Sequence, residues 1–437
     1  MLEDITLIAQ WTAAPPFSGT FSFTAGGINS GLPSLLGLYI EGQTLTATFT
    51  TSDGTGTATY VWRSDGNIVG TNSPNYTITE SDRGNDITVE ISFSENSGSQ
   101  TSTLLPVHLG RPISTVTQLM DISMGENYIL VNDIGPVTQP IPGTYYGTFD
   151  GNGNTISLSI TGTEIANVGL FTIIGGTVKN LRLTGLVEVN NFTMGLRAGA
   201  LAGTNQGTIS NVSSSVNVSS TTGNVALTLG GLVGSSNRTI RNSYTTGNVI
   251  GFTTANSVMI GGIVGSIDSN TNNISFCWAQ GTISGTAGNV ELVGGIVGNS
   301  GNAGTEYEVN LIQNCVALNS NLISGGYDNN NKIARRIAAL WGATPTLRNN
   351  YANVLGGGPW TTLNNHDEAN GANFPDPQNR ANWINPAPGA SPGWTIYGGF
   401  MINPTDPDAP TEPNPWWWDM DENKPRLWFE SGGVNLP

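Results

Sequence analysis

Histidine, lysine and cysteine are scarce in this 437-residue chain, and each scarcity excludes a chemistry. The histidines are His108 and His366, and no His-Glu-x-x-His occurs. That excludes a zinc protease built on the motif. A serine triad would have to recruit one of these two, and neither has a nucleophile motif nearby. The lysines are Lys179, Lys332 and Lys424, and charged residues make up 11% of the chain, well below the usual quarter. With a formal net charge of -16, the chain has no clustered cations for phosphate backbones, so nucleic acid is excluded as a partner. Its Gly-rich stretches lack the lysine and the strand-helix setting of a phosphate loop. Two cysteines, Cys277 and Cys315, make no disulfide framework. No apolar run reaches the roughly 18 residues of a membrane span, so no membrane insertion is expected. No secretion signal follows Met1, so an exported chain would be a processed form or a fragment.

Glycine, by contrast, is abundant, at 58 residues, and it recurs in a phrase. The phrase reads Gly169-Leu170-Phe171, Gly199-Ala200-Leu201-Ala202-Gly203, Gly230-Gly231-Leu232-Val233-Gly234, Gly261-Gly262-Ile263-Val264-Gly265 and Gly294-Gly295-Ile296-Val297-Gly298. A degraded copy, Ala338-Ala339-Leu340-Trp341-Gly342, closes the series. Its central apolar residue falls at 170, 201, 232, 263, 296 and 340, in steps of 31, 31, 31, 33 and 44. A period of this length marks a repeat architecture.

Each phrase has a second half, apolar-x-Asn-x, centred on Asn180, Asn211, Asn242, Asn314 and Asn349, with Phe276 interrupting the series. Alternating runs follow, such as Gly247-x-Val249-x-Gly251 and Gly281-x-Ile283-x-Gly285. Alternation of period 2 predicts strands, about three short ones per repeat; Gly, Ser, Thr and Asn oppose helix. One such repeat cannot bury its own apolar face. Stacked as coils, the repeats give each strand a parallel partner and build a continuous narrow core. At about 4.8 Å per strand, six coils make a rod roughly 30 Å long. The asparagines then form an amide ladder at a corner. Cys277 and Cys315 share a repeat position and are expected as stacked, buried, reduced thiols.

These residues carry a resemblance. Gly-Gly-Leu-Val-Gly and Gly-Gly-Ile-Val-Gly, followed by Ile-x-Asn-x-Tyr/Trp-x-x-Gly-x-Val/Ile-x-Gly, resemble the GLUG repeat of bacterial surface proteins over about 145 to 355. That repeat occurs in adhesin-like proteins and beside the protease domain of bacterial IgA1 metalloproteases. The expected fold class is all-β: a right-handed parallel β-solenoid (β-helix), from the stacked repeats, preceded by a small immunoglobulin-like β-sandwich, from the residues before them.

In chain order, 1-34 is read as the end of a preceding module and a linker; Ile5 to Thr12 resembles the last strand of an internalin-type B repeat. Region 35-109 has strand signals at short intervals separated by turns, which suggests a sandwich. Its Gly42-Gln43-Thr44-Leu45, Tyr60-x-Trp62 and Tyr76-Thr77-Ile78-x-x-x-Asp82-x-Gly84 resemble a bacterial immunoglobulin-like module with Trp62 in its core. Such modules usually act as spacers. Region 110-358 is the solenoid, led by a helix near Val116 to Ile122 and a strand near Tyr128 to Ile134. Asp150, Asn152 and Asn154 alternate as calcium-loop ligands do, but no glutamate closes the loop, and a Gly/Asn turn is the expectation. Region 359-437 is a Pro/Trp-rich cap, expected to plug the open end of the solenoid.

No cofactor, metal or catalytic residue is implied. Between 200 and 300 the acidic residues are Asp268 and Glu291, read as lying in loops of different coils. No carboxylate pair of the kind a glycosidase uses is suggested. The candidate ligand-binding residues are Tyr244, Trp278 and Tyr351. They share one outward column with Arg182, Ser213 and Val316 if Cys277 points inward. An open aromatic ridge beside Asn and Ser donors would suit sugar faces; the competing expectation is that the Trp-rich tail covers it. By resemblance, the chain is expected to be a secreted or surface-anchored bacterial adhesin, a monomer, whose partner is a host or environmental glycan or a surface protein. A carbohydrate-active enzyme on a β-helix and a purely structural stalk are the alternatives.

Overall fold

The structure is a computed structural model, and it describes residues 14–27, 38–162, 165–190, 193–254, 256–268, 272–300, 310–324, 328–329, 332–339, 345–353, 372–373, 396–398, 416–419, 424–427 and 430. The chain forms two compact units, Met1–Arg111 and Pro112–Pro437. Ile5 to Thr12, Leu340, Trp341, His366 and most of 359-437 lie outside the described residues. Among the described residues no helix is long and apolar enough to cross a membrane.

The first unit holds two antiparallel sheets, compatible with a small β-sandwich. Leu45, Trp62, Tyr76, Ile87 and Val89, drawn from both sheets, share one core. Trp62 is fully buried, stacks on Tyr76 at 5.5 Å and donates Nε1–H to Ser73 O at 2.8 Å. The reading of 13–34 as linker is corrected in part. Thr20–Gly27 is a strand paired antiparallel with Gln43–Thr50 over its full length, and Phe21, Phe23 and Ala25 pack on the core. Alternation of Phe21, Phe23 and Ala25 was the signal, masked by the surrounding Gly and Ser.

The second unit is a parallel β-solenoid of about six turns. It is led by a short helix, Val116–Met120, whose first turn is closed by a Thr115/Gln118 capping box. A full turn has more strands than the three expected. The coil that starts at Leu227 contains Leu227–Gly230, Val233–Ser236, Ile240–Arg241, Tyr244–Thr245 and Val249–Thr253. The strand before each Gly-Gly was legible in Leu227-x-Leu229 and Val258-x-Ile260.

Two backbone features set the coil. Gly231 and Gly262 mark a corner where consecutive coils touch: a Cβ on Gly231 would collide with Gly262 O, and one on Gly262 with Gly295 O. Glycine is therefore required there by close approach. At another corner Asn180, Asn211, Asn242, Asn314 and Asn349 all take the left-handed conformation, with φ between 49° and 55°. Asparagine tolerates that region where most side chains do not. The amides form rungs: Asn211 Nδ2 donates to Asn180 Oδ1 at 3.0 Å, and Asn349 Nδ2 to Asn314 Oδ1 at 2.8 Å. Phe276 keeps the same backbone, at φ 53°.

The apolar column is Leu170, Leu201, Leu232, Ile263 and Ile296, all fully buried, and its last member is Ile337 rather than Leu340. Gly294 pairs with Arg335, and Ile296 N donates to Ile337 O at 2.9 Å. The final coil therefore reads Arg335-Arg336-Ile337-Ala338-Ala339 where the preceding one reads Gly-Gly-Ile-Val-Gly. The true last step is 41 residues, from 296 to 337. Beyond it, Asp328–Asn329 pairs antiparallel with Lys332–Arg335 and covers part of that sheet's edge.

Cys277 and Cys315 are buried, reduced and on adjacent coils, with their neighbours Trp278 and Val316 in register. Each thiol donates to the carbonyl two residues earlier, Ser275 O at 3.3 Å and Gln313 O at 3.2 Å. Asp150 accepts from Asn152 N and from Asn180 Nδ2, and Lys179 Nζ lies 3.5 Å away. That geometry makes Asp150 to Asn154 a closed turn, with Asn152 at φ 50°.

Candidate functional site

The predicted outward column exists in the predicted register. Arg182 pairs with Ser213, Ser213 with Tyr244, Tyr244 with Trp278, Trp278 with Val316, and Val316 with Tyr351. Cys277 and Ala279 belong to the solenoid core while Trp278 belongs to a separate cluster, so alternation places the column on the outer side of the sheet.

The open ridge is corrected. Tyr244, Trp278 and Tyr351 are 2%, 0% and 2% exposed. Trp416 and Leu427 of the tail pack on them, together with Val316, Leu318 and Ala372. The rings of Tyr244 and Trp278 stack at 4.4 Å and 4°, and Trp416 lies 6.3 Å from Tyr244. Covering several large rings outweighs leaving them in water, since each buried aromatic contributes on the order of 1.5–3 kcal/mol. The expected end plug falls mostly on residues outside the described ones. The described tail strands, Ile396–Gly398, Trp416–Asp419 and Lys424–Leu427, form one small sheet whose Trp416 and Leu427 meet the side of the coils. Ala372–Asn373 adds to the stack itself, pairing with Tyr351–Ala352.

The tail leaves a cleft where the column changes from large to small. Ser213 separates Arg182 from Tyr244, and a cavity of about 310 Å³ opens there. Thr155, Thr184, Ser215 and Thr246 line it with hydroxyls, and Arg182, Arg426 and Glu430 supply charge. Glu430 is held closely: Ser213 Oγ donates to Oε1 at 2.6 Å, Leu427 N donates to Oε2 at 3.0 Å, and the Tyr244 hydroxyl lies 2.8 and 2.7 Å from its two oxygens. Arg426 Nη1 donates to the Tyr244 oxygen at 2.8 Å, with its Cζ 5.8 Å from the ring centre. Burial, and next the charge of Glu430, push the Tyr244 phenol well above its ordinary range, so it stays protonated and donates.

Asp268 and Glu291 are not together. Asp268 follows the strand Val264–Ile267, accepts from Ser235 and Ser266, and lies 3.6 Å from Arg197 in a second cavity, of about 260 Å³. Glu291 lies within the strand Val290–Gly294 rather than in a loop. It is fully buried and pairs with Lys332 Nζ at 2.6 Å. His108 is buried and accepts from Gly110 N at 2.9 Å. Among the described residues no group of three His, Cys, Asp or Glu side chains is placed to hold a metal ion. Arg426 and Glu430 were missed in the sequence, where no period links them to Ser213 or Tyr244. No protein-family model matches the chain, and no curated protein matches it.

Proposed function

We propose that the chain is an adhesin-like protein of a bacterial surface or secretome, which binds a glycan in the cleft between the Ser213 column and the tail. The observation that carries this reading is the cleft itself: hydroxyls and guanidinium groups converge on a cavity of sugar size. The resemblance of Gly230–Gly234 and Gly261–Gly265 to the GLUG repeat supports display at a surface, with the first unit as a spacer. Binding rather than hydrolysis is favoured by the carboxylates. Of the described lining residues only Glu430 is acidic, and both its oxygens are taken up by hydrogen bonds. A glycosidase needs a pair, one of them free to move a proton. The reading of a featureless stalk is disfavoured by the same cleft.

The test is a glycan array probed with the full chain and with Thr246→Trp, which fills the cleft from its rim. Binding that Thr246→Trp abolishes at unchanged melting temperature is the expected outcome. Binding untouched by that substitution would move the site elsewhere, and hydrolysis of a bound glycan would restore the enzyme reading.

A further inference from the structure

The cleft has a chemical sign, and we infer that it selects a carboxylate-bearing sugar, held through the Arg182 guanidinium. This inference rests on the glycan reading above and specifies the class of sugar. The chain as a whole is acidic, yet two of its few cations line this one cavity. Arg426 reaches from the tail to the coils, and its Nη1 is committed to the Tyr244 hydroxyl at 2.8 Å. Arg182 stands across Ser213 from it. Its Nε donates to Gly153 O at 3.0 Å, which fixes the plane of the guanidinium. Among the described residues its two terminal nitrogens have no partner, and no acidic side chain pairs with it.

Glu430 does not neutralise this end. Its oxygens are directed at Ser213, Tyr244 and Leu427 N. Among the described lining side chains, two guanidinium groups face one carboxylate, a net positive balance in an acidic protein. A free guanidinium edge matches a carboxylate with two parallel N–H···O bonds. The hydroxyls of Thr184, Ser215 and Thr246 around it suit ring hydroxyls, each able to donate or accept. A neutral sugar would leave the guanidinium unmatched in a partly enclosed site.

The test is isothermal titration of the full chain with glucuronic acid, N-acetylneuraminic acid, glucose and sulfate, at low and moderate salt. At least one acidic sugar should bind, more tightly than glucose, and added salt should weaken it. Arg182→Ala should weaken that binding about tenfold or more, and Arg182→Lys by less, as expected for losing a charged hydrogen-bond pair. Should Arg182→Ala lower the melting temperature, Arg182→Gln replaces it as the charge-free variant. Three results overturn the inference. If glucose binds as well as the acids, with Arg182→Ala silent and Thr246→Trp inactive, the glycan reading stands without the acidic preference. Sulfate binding as tightly as the acidic sugars would make the cleft an anion site with no sugar recognition. Absence of binding by all four ligands, in a chain that the glycan array also scores negative, removes both readings.

Discussion

Replacing Phe276 by asparagine should make the solenoid more stable, although it removes a ring. Phe276 occupies the one corner of the Asn column without an asparagine, with φ at 53°. A bulky side chain in that region costs about 1–2 kcal/mol, much of which asparagine avoids. The amide also fits the column between Asn242 and Asn314, where Asn349 and Asn314 form a rung at 2.8 Å and, further along, Asn211 and Asn180 form one at 3.0 Å. Two added rungs contribute roughly 1 kcal/mol each. Against this stands the packing of the partly buried ring on the aromatic cluster, about 1–1.5 kcal/mol, or half of a fully buried side chain. The balance is a gain of about 1–2 kcal/mol. In a domain of this size that corresponds to a rise of roughly 2–4 °C in melting temperature. Differential scanning calorimetry of wild type, Phe276→Asn and Phe276→Ala separates the terms. Alanine loses the ring and gains no rung, so it should melt below wild type while asparagine melts above. Equal losses for both would show that ring packing, not the corner, governs this position, and would refute the ladder argument.

Other outcomes follow from the core and from the first unit. Ile263→Asp places an unpaired charge in the fully buried column and should unfold the central coils; an unchanged thermal transition for that variant would contradict the stacking. Burial, reinforced by the neighbouring Cys315, raises the Cys277 thiol well above its ordinary value. Thiol reagents should therefore find no reactive cysteine in the folded chain even at mildly alkaline pH, and two after denaturation by mass spectrometry. In the first unit, burial raises the Asp82 carboxyl, but hydrogen bonds from Tyr76 and from the Thr79 backbone and side chain outweigh it, and the net shift is downward. A carboxyl lowered on folding contributes stability that is complete above its unfolded value near 4 and is lost as pH falls through the folded one. Asp82→Asn should cost about 1–3 kcal/mol at neutral pH and flatten this acid dependence, read by hydrogen exchange at the Trp62 and Val89 amides; an equally steep acid limb in the variant would assign it to other groups.

The repeat was legible because each interior coil meets the same neighbours and so keeps the same residues. Where the neighbours change, the residues change and the pattern misleads. Arg335-Arg336 stands in the place of Gly-Gly, so the last coil looked three residues later than it is; only the pairing of Gly294 with Arg335 reveals it. The outward column followed from alternation alone, down to Arg182, Ser213, Tyr244, Trp278, Val316 and Tyr351. Its exposure did not follow. Arg426 reaches Tyr244 across 182 residues of chain, and no local period encodes a contact of that range. The cleft depends on the same contact, which is why the aromatic rings were legible as a group and the charged residues beside them were not.

The arginines at the last coil bear on how such an array can lengthen. A Cβ on Gly231, Gly262 or Gly295 would strike the carbonyl of the coil that follows. Arg336 carries a full side chain at the corresponding position, and that side chain is buried. A further coil laid on it in the same register would meet that Cβ as an obstruction. Duplication of a repeat unit is therefore tolerated between existing coils, where Gly-Gly stacks on Gly-Gly, and is barred after Arg335-Arg336. The number of coils can drift through insertions in the middle of the gene, while the terminal coil, once its glycines are lost, persists as a fixed stop.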